Sequence, residues 1–431
     1  MVDKLPTNKR YSAVALLTLM IIINYLDRTN FSVATPSLMK EFGLGTGQMG
    51  ILMSAFLWSY ILLQIPIGMI INKFGPKLVI GATCAGWGLV TMITGAANSF
   101  ASLLALRILL GIAESAAYPS ATRVVSVWVP AKERTFSTGL FDAGNKVGSA
   151  FAPPIVALII VAWGWRASFV VTGLIAVLYA IVFFALYRDP DDHPTVSKEE
   201  LAYIRQDEVV SSDGKIISEP IPLFKLFKNK NFMIAAFGNC INSYMLGTFL
   251  YWIPTYLVMN RGLDVKQMGF AAMVPYIVAI VAELGFGKIF DRLTAQGVSI
   301  SKMRKTGIII GDIICIIGIL GTIQATTAMG AVIGLSVFWG AFGVIGVLSW
   351  SIPTDLAPYG QAGGLSGVYN FISQFGTASA AVATGYIAQS KYGFNGAFIV
   401  CIICALVCIV LYTVGNFNRL EVKNGIITQK K

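Results

Sequence analysis

Asp27, Arg28, Arg107 and Glu114 are the residues of this chain whose types and surroundings promise chemistry. Each stands inside a long apolar run, and an ionisable group at the centre of a membrane helix costs at least about 2.5–3.5 kcal/mol. Such a residue needs a partner, a water-filled cavity or a task. Asp27 and Arg28 are adjacent, and adjacent side chains on a helix point about 100° apart, so they need not pair with each other. Arg107 and Glu114 are seven residues apart, two turns along one helix face. The four charges sum to zero. One use is structural: an ion-pair network joining two helices. The other divides labour. A guanidinium takes a carboxylate ligand through two parallel hydrogen bonds, and an acid carries a proton, since desolvation makes a buried carboxylate easier to protonate.

The elements that must hold these residues follow from composition. Of 431 residues 56% are hydrophobic and 12% charged, about half the charge of a soluble domain, so lipid is the natural solvent for this surface. A span needs about 20 mostly apolar residues. The runs place helices at 12–34, 47–71, 78–97, 102–126, 135–162 and 167–187, then at 232–258, 267–290, 305–324, 328–351, 363–388 and 394–416. The expected fold is therefore an all-α membrane protein of twelve transmembrane helices. Residues 1–187 form an N-terminal six-helix bundle, 188–231 a cytoplasmic linker and 232–431 a C-terminal six-helix bundle with a tail. Ser197-Lys198-Glu199-Glu200 has the form of a capping box, so a short linker helix should run through Leu201, Ile204 and Glu208. The basic start followed by an apolar run imitates a signal peptide, but no small-residue cleavage site closes it, and it reads as a retained first span.

The net charge of +11 does not mark a nucleic-acid binder, because lysines and arginines are scattered between spans rather than gathered in one domain. They weight alternate loops: Lys4, Lys9 and Arg10; Lys73 and Lys77; Lys132 and Arg134; the linker; Arg292 to Lys305; and the tail. That bias puts both termini in the cytoplasm. The six cysteines all lie in apolar runs; with His193 the one histidine, neither a metal site nor a redox pair is expected. No Ser/His/Asp set, HExxH or Walker loop occurs, which argues against an enzyme or an ATP-driven pump. No cofactor is implied.

Two echoes suggest duplication. Gly68-Met-Ile-Ile-Asn72-Lys73 matches Gly287-Lys-Ile-Phe-Asp291-Arg292 at a separation of 291 − 72 = 219, and Gly139 to Gly148 matches Gly367 to Gly376 at 367 − 139 = 228. Pseudo-symmetric six-span halves are a known transporter plan. The loop Gly68-x-x-x-Asn72-Lys73-x-Gly75-x-Lys77 resembles the signature loop of the major facilitator superfamily, with Asn72-Lys73 in place of its usual Asp-Arg. Asn24-Tyr25-Leu26-Asp27-Arg28-Thr29-Asn30, Arg107-x6-Glu114-x4-Pro119, Trp252-x-Pro254-Thr255-Tyr256 and Asn370-Phe371 resemble, within it, the anion:cation symporter family. Its bacterial members for D-galactonate and other sugar acids, driven by protons, are the most similar in these motifs.

The resemblance implies that Asp27 and Glu114 couple to protons. It implies that Arg28 and Arg107, with Tyr25, Tyr60, Asn145, Trp350 and Asn370, line a substrate cavity. Asn72, Lys73, Asp291 and Arg292 would serve the gate. Asp142 and Lys146, at (i, i+4) spacing, read either as a neutralised structural pair or as a second anion contact or gate. Glu133, Arg134, Glu283, Asp312 and Asp355 read as gate or loop ion pairs. The expectation is a monomeric secondary transporter of the bacterial inner membrane, importing a sugar acid (an aldonate such as galactonate, or a hexuronate) by proton symport through alternating access. The alternatives are another organic anion (an aldarate, an aromatic acid or a dicarboxylate), exchange rather than symport, or a sensor that does not transport. Membrane lipid is the other expected partner.

Overall fold

The computed structural model of the chain describes residues 8–205, 226–357, 362–417, 420–423 and 426–429. Apolar runs become long helices because in lipid every backbone N–H and C=O must be satisfied within its own segment. α1 (Lys9–Phe42), α2 (Thr46–Phe74) and α3 (Pro76–Thr94) carry the first three spans. The fourth, expected as one helix, is broken into α4 (Phe100–Glu114) and α5 (Ala117–Trp128). Pro119 accounts for the break: it has no N–H to offer the Ser115 carbonyl, and its ring crowds that group. The Ser115 hydroxyl turns back instead and donates to the Ile112 carbonyl at 2.8 Å. α6 (Ala131–Leu186) carries spans five and six, parted at Gly164, whose φ of 84° and ψ of 166° lie in a region essentially reserved for glycine.

The short α7 (Lys198–Ile204) begins as the capping box predicts, with the Ser197 hydroxyl accepting the Glu200 N–H at 3.0 Å. The expected continuation to Glu208 falls outside the described residues. The remaining spans are α8 (Lys230–Met259), α9 (Val265–Ala295), α10 (Ile300–Gln324), α11 (Ala328–Leu356), α12 (Ala362–Gln389) and α13 (Gly393–Val414). Among the described residues nine segments are long and apolar enough to cross a membrane, one of them containing both spans of α6. α8 and α12, of 30 and 28 residues, are also long enough and complete the twelve. A two-stranded antiparallel hairpin, β1 (Leu420–Lys423) with β2 (Ile426–Gln429), follows the last span, where the sequence suggested only a tail.

Packing divides the chain into two units, Met1–Phe42 with Ala55–Lys215, and Gly43–Ser54 with Ile216–Lys431. In the first, one end is closed by a latch. Arg10 bridges Glu133 at 2.9 Å and Glu200 at 3.3 Å, Tyr203 and Tyr11 donate to Glu133 at 2.5 and 3.1 Å, and Glu200 also caps the N–H groups of Lys9 and Arg10. Burial pushes the Glu133 carboxyl up, but the hydrogen bonds from Tyr203 and Arg10 outweigh it and hold the group below the usual carboxylate range. The other end is tied by Arg166 to Glu41 at 2.6 Å, with the Trp165 N–H donating to Glu41. In the second unit Arg304 pairs with Asp355 at 2.9 Å, as expected of a loop ion pair. The connections that follow α1, α3 and the first span of α6 are short: residues 43–45, 95–99 and Gly164 alone. Those that follow α8, α10 and α12 are 260–264, 325–327 and 390–392.

Candidate functional site

The first unit gathers the four charges singled out by the sequence. Arg28 lies 18 residues from Arg10 and 13 from Glu41 along α1, about 27 and 20 Å at the helix rise, so the cluster sits deep between the two ends. Close approach of α2 and α4 brings its walls together. A Cβ on Gly111 would stand 2.1 Å from the Ser59 hydroxyl and 2.3 Å from the Phe56 carbonyl, so only glycine fits there.

The pairing runs between helices. Arg28 Nε donates to Glu114 Oε2 at 2.9 Å, and the Glu114 side chain is wholly buried. The Arg28 guanidinium also lies over the rings of Tyr25, Phe56 and Tyr60, 4.7 Å from the centre of the last. Arg107, 3% exposed, is sandwiched between Phe31 at 4.3 Å and Phe56 at 4.6 Å; ring faces stabilise a desolvated cation by about 0.5–2 kcal/mol each. Asp27 turns the other way, toward α3 and span six. Its Oδ2 accepts the Thr91 hydroxyl at 3.1 Å, and the charges of Glu114 and Arg107 act on it. Asn30, one turn along, fixes α1 against span six by accepting from Ser168 at 2.8 Å and donating to Thr172 at 3.0 Å.

The predicted residues Tyr25 and Tyr60 thus flank Arg28, and Tyr118 joins them, donating to Asp142 Oδ1 at 3.1 Å. Lys146 stands one turn beyond Asp142 and is half-buried, as is Asn145. Phe31, Phe56, Thr91 and Tyr118 were not picked out from the sequence. Phe31 lies at (i, i+4) from Asp27 and Phe56 at (i, i+4) from Tyr60, a spacing that could have found them; Thr91 carries no such signal.

In the second unit Trp350 is 47% exposed and meets Tyr369 edge-on at 5.9 Å, while Asn370 Oδ1 accepts from Gln374 at 3.4 Å. Beside them a buried polar knot ties four spans: the Ser349 hydroxyl donates to Asn239 at 2.8 Å and lies 2.8 Å from Tyr369 and 3.4 Å from Tyr412. Asp312 corrects an expectation. It is wholly buried, twelve residues into α10, and neither carboxyl oxygen has a hydrogen-bond partner among the described residues. It is therefore not a loop ion pair. Of the gate residues, Lys73 is exposed with its ammonium over Phe74, and Arg292 is exposed; the side chains of Asn72 and Asp291 fall outside the described residues. Among the described residues no group of three His, Cys, Asp or Glu could hold a metal ion.

Comparison with known proteins identifies the family. The Major Facilitator Superfamily profile matches residues 17–381. The D-galactonate transporter of Escherichia coli O6:H1 (strain CFT073) is 32% identical over 96% of this chain and 97% of its own. The probable galactarate/D-glucarate transporter GarP of Escherichia coli (strain K12) is 30% identical over 96% of both. The crystal structure of a bacterial homologue of the human lysosomal transporter Spinster, inward-facing and occupied, superposes with a TM-score of 0.77 at 16% identity, over 95% of this chain and 97% of that one; at that identity it establishes the fold alone. With twelve spans, a buried charge cluster and these relatives, the chain is a multi-pass membrane transporter belonging to the Major Facilitator Superfamily.

Proposed function

We propose that this transporter imports a monocarboxylic sugar acid, such as an aldonate or hexuronate, together with protons, by alternating access. The observation that carries the reading is the Arg28–Glu114 pair at 2.9 Å beside Asp27. Arg28 holds a carboxylate already, and a substrate carboxylate can take that place through the same guanidinium fork. Glu114, displaced and wholly buried, then takes a proton rather than remain an uncompensated charge. Asp27, held by a hydroxyl rather than by an arginine fork, is the second proton carrier. Proton and anion so favour each other's binding, as linkage requires. Tyr25, Tyr60 and Asn145 supply hydroxyl and amide groups for the sugar, with Arg107 setting the positive potential. Trp350 and Asn370 serve the substrate from the second half, and Asn72, Lys73, Asp291, Arg292, Asp142 and Lys146 serve gating.

In this reading residues 1–187 and 232–431 are the two six-helix bundles and 188–231 joins them. The protein works as a monomer in a bacterial inner membrane with both termini cytoplasmic, supported by the basic residues of alternate loops. A second reading, an aldarate such as galactarate as substrate, is favoured by the similarity to GarP.

Uptake into proteoliposomes under an inward proton gradient, across a panel of labelled sugar acids and other carboxylates, tests both. The expected result is uphill uptake of one aldonate or hexuronate, abolished by a protonophore and by Asp27→Asn. Accumulation of an aldarate alone would select the second reading. Gradient-driven uptake of none, by intact protein, would overturn both, and full uphill uptake by Asp27→Asn would remove that residue from coupling.

A further inference from the structure

At the latch end of the first unit, a groove of about 420 Å³ opens between the start of α1, the end of α5 and the end of α6. Its walls are of two kinds. Leu19 and Leu186, 44% and 59% exposed, are apolar. Lys9, Arg188 and His193 supply its basic part, Trp128 also lines it, and among the described residues no carboxylate does. Arg188 is held in place through one nitrogen, its Nη1 donating to the Phe184, Ala185 and Tyr187 carbonyls at 2.8–3.2 Å. Trp128 is braced edge-on by His193 at 5.4 Å and by Tyr187 at 6.5 Å.

The position of the groove decides what can reach it. The candidate membrane helices begin at Lys9 and end at Leu186, so Leu19, about 15 Å along α1 from Lys9, lies at the depth of acyl chains, and the basic residues lie at the ends of these spans, where headgroups belong. Trp and Tyr are enriched at that level, and basic pockets between spans on the cytoplasmic side take anionic headgroups. The same basic residues act on His193. Burial, then the charges of Lys9 and Arg188, hold His193 below its ordinary value, with Glu200 opposing. Glu200 is itself engaged by Arg10 and by the N–H groups of Lys9 and Arg10.

We propose that this groove is a binding site for an anionic glycerophospholipid of the membrane, its phosphate between Lys9, Arg188 and His193 and its acyl chain along Leu19 and Leu186. The bound lipid would steady the start of α1 beside the latch, and its phosphate would raise the proton affinity of His193.

Delipidated protein in detergent, offered equal amounts of phosphatidylglycerol and phosphatidylethanolamine, is read by native mass spectrometry. The wild type should retain phosphatidylglycerol preferentially. Lys9→Gln with Arg188→Gln should lower that retention by about tenfold or more, from two basic contacts. Lys77→Gln with Lys302→Gln, the same charge change elsewhere, should leave it unchanged. Equal retention of both lipids by the wild type, equal loss in the control, or no loss in the double variant would overturn the site. So would displacement by glycerol phosphate at matching concentration, which would make the ligand a free phosphate. A second readout does not depend on those variants. Brominated phosphatidylglycerol should quench wild-type tryptophan fluorescence more than Trp128→Phe fluorescence, and brominated phosphatidylethanolamine should show no such difference. An equal effect of the two lipids, or no difference between the proteins, would also overturn it.

Discussion

Arg28 and Glu114 compensate each other inside a region that would charge heavily for either alone. Breaking a buried pair by removing one partner destabilises by about 3–5 kcal/mol, while removing both is often nearly neutral. Arg28→Gln and Glu114→Gln should therefore each lower the midpoint of thermal unfolding in detergent, and the double substitution should recover most of the loss; additive losses would show that the pair contributes nothing as a pair. The sequence placed Asp27, Arg28, Arg107 and Glu114 in one network but could not say which bonds which. That depends on how far α1 and α4 are rotated about their axes, and the rotation is set by packing at Gly111 and Asn30 rather than by spacing along either helix. Asp312 was misplaced for a simpler reason. Its span was read from residue 305, where the unbroken apolar run begins, whereas the helix starts at Ile300 and draws Lys302 and Arg304 into its first turns. The added turn and a half carries Asp312 from the rim to the interior.

Two elements hold the first unit in shape. The contact of α4 with α2 at Gly111 admits no side chain, and overpacking of this kind costs about 1–3 kcal/mol. Gly111→Ala should reduce folded yield and thermal stability, and should weaken substrate binding as well, because the Phe56 backbone it pushes on carries a ring stacked on both arginines. Normal stability with normal uptake would mean that α2 can yield. The second element is α7, fastened through Glu133 and Glu200. The folded-state pKa of Glu133 lies below the ordinary 4.5, so its contribution is fully present above that value and is lost as pH falls through the lowered one. Protection of the Lys198–Arg205 amides relative to intrinsic exchange should be high at pH 7 and fall as pH drops through the lowered value of Glu133, and Glu133→Gln should remove most of the difference. Of these elements the capping box of α7 was legible, being a local hydrogen-bond pattern. The break after Glu114 was not, since Pro is tolerated in many membrane helices and only neighbouring helices decide whether it bends them.

Over the whole molecule, twelve spans were legible because the bilayer enforces length and apolarity on each, and the glycine echoes marked two related halves. The hairpin after the last span left no trace in the apolar pattern, being too short and too polar to impose one. An even number of spans returns the chain to the side on which it began. Reporters fused at the two ends should therefore become accessible together, from the same face of oriented membranes, and opposite accessibility would require an odd count. The short connections between helices have a practical side. Three run within 43–45, 95–99 and at Gly164, and three within 260–264, 325–327 and 390–392. At each of these connections a protease or an antibody meets helix ends joined by five residues at most, too little chain to enter a cleavage site or present a linear epitope. The purified protein should therefore resist nicking at these six places unless a cleavable tag is spliced into one of those turns.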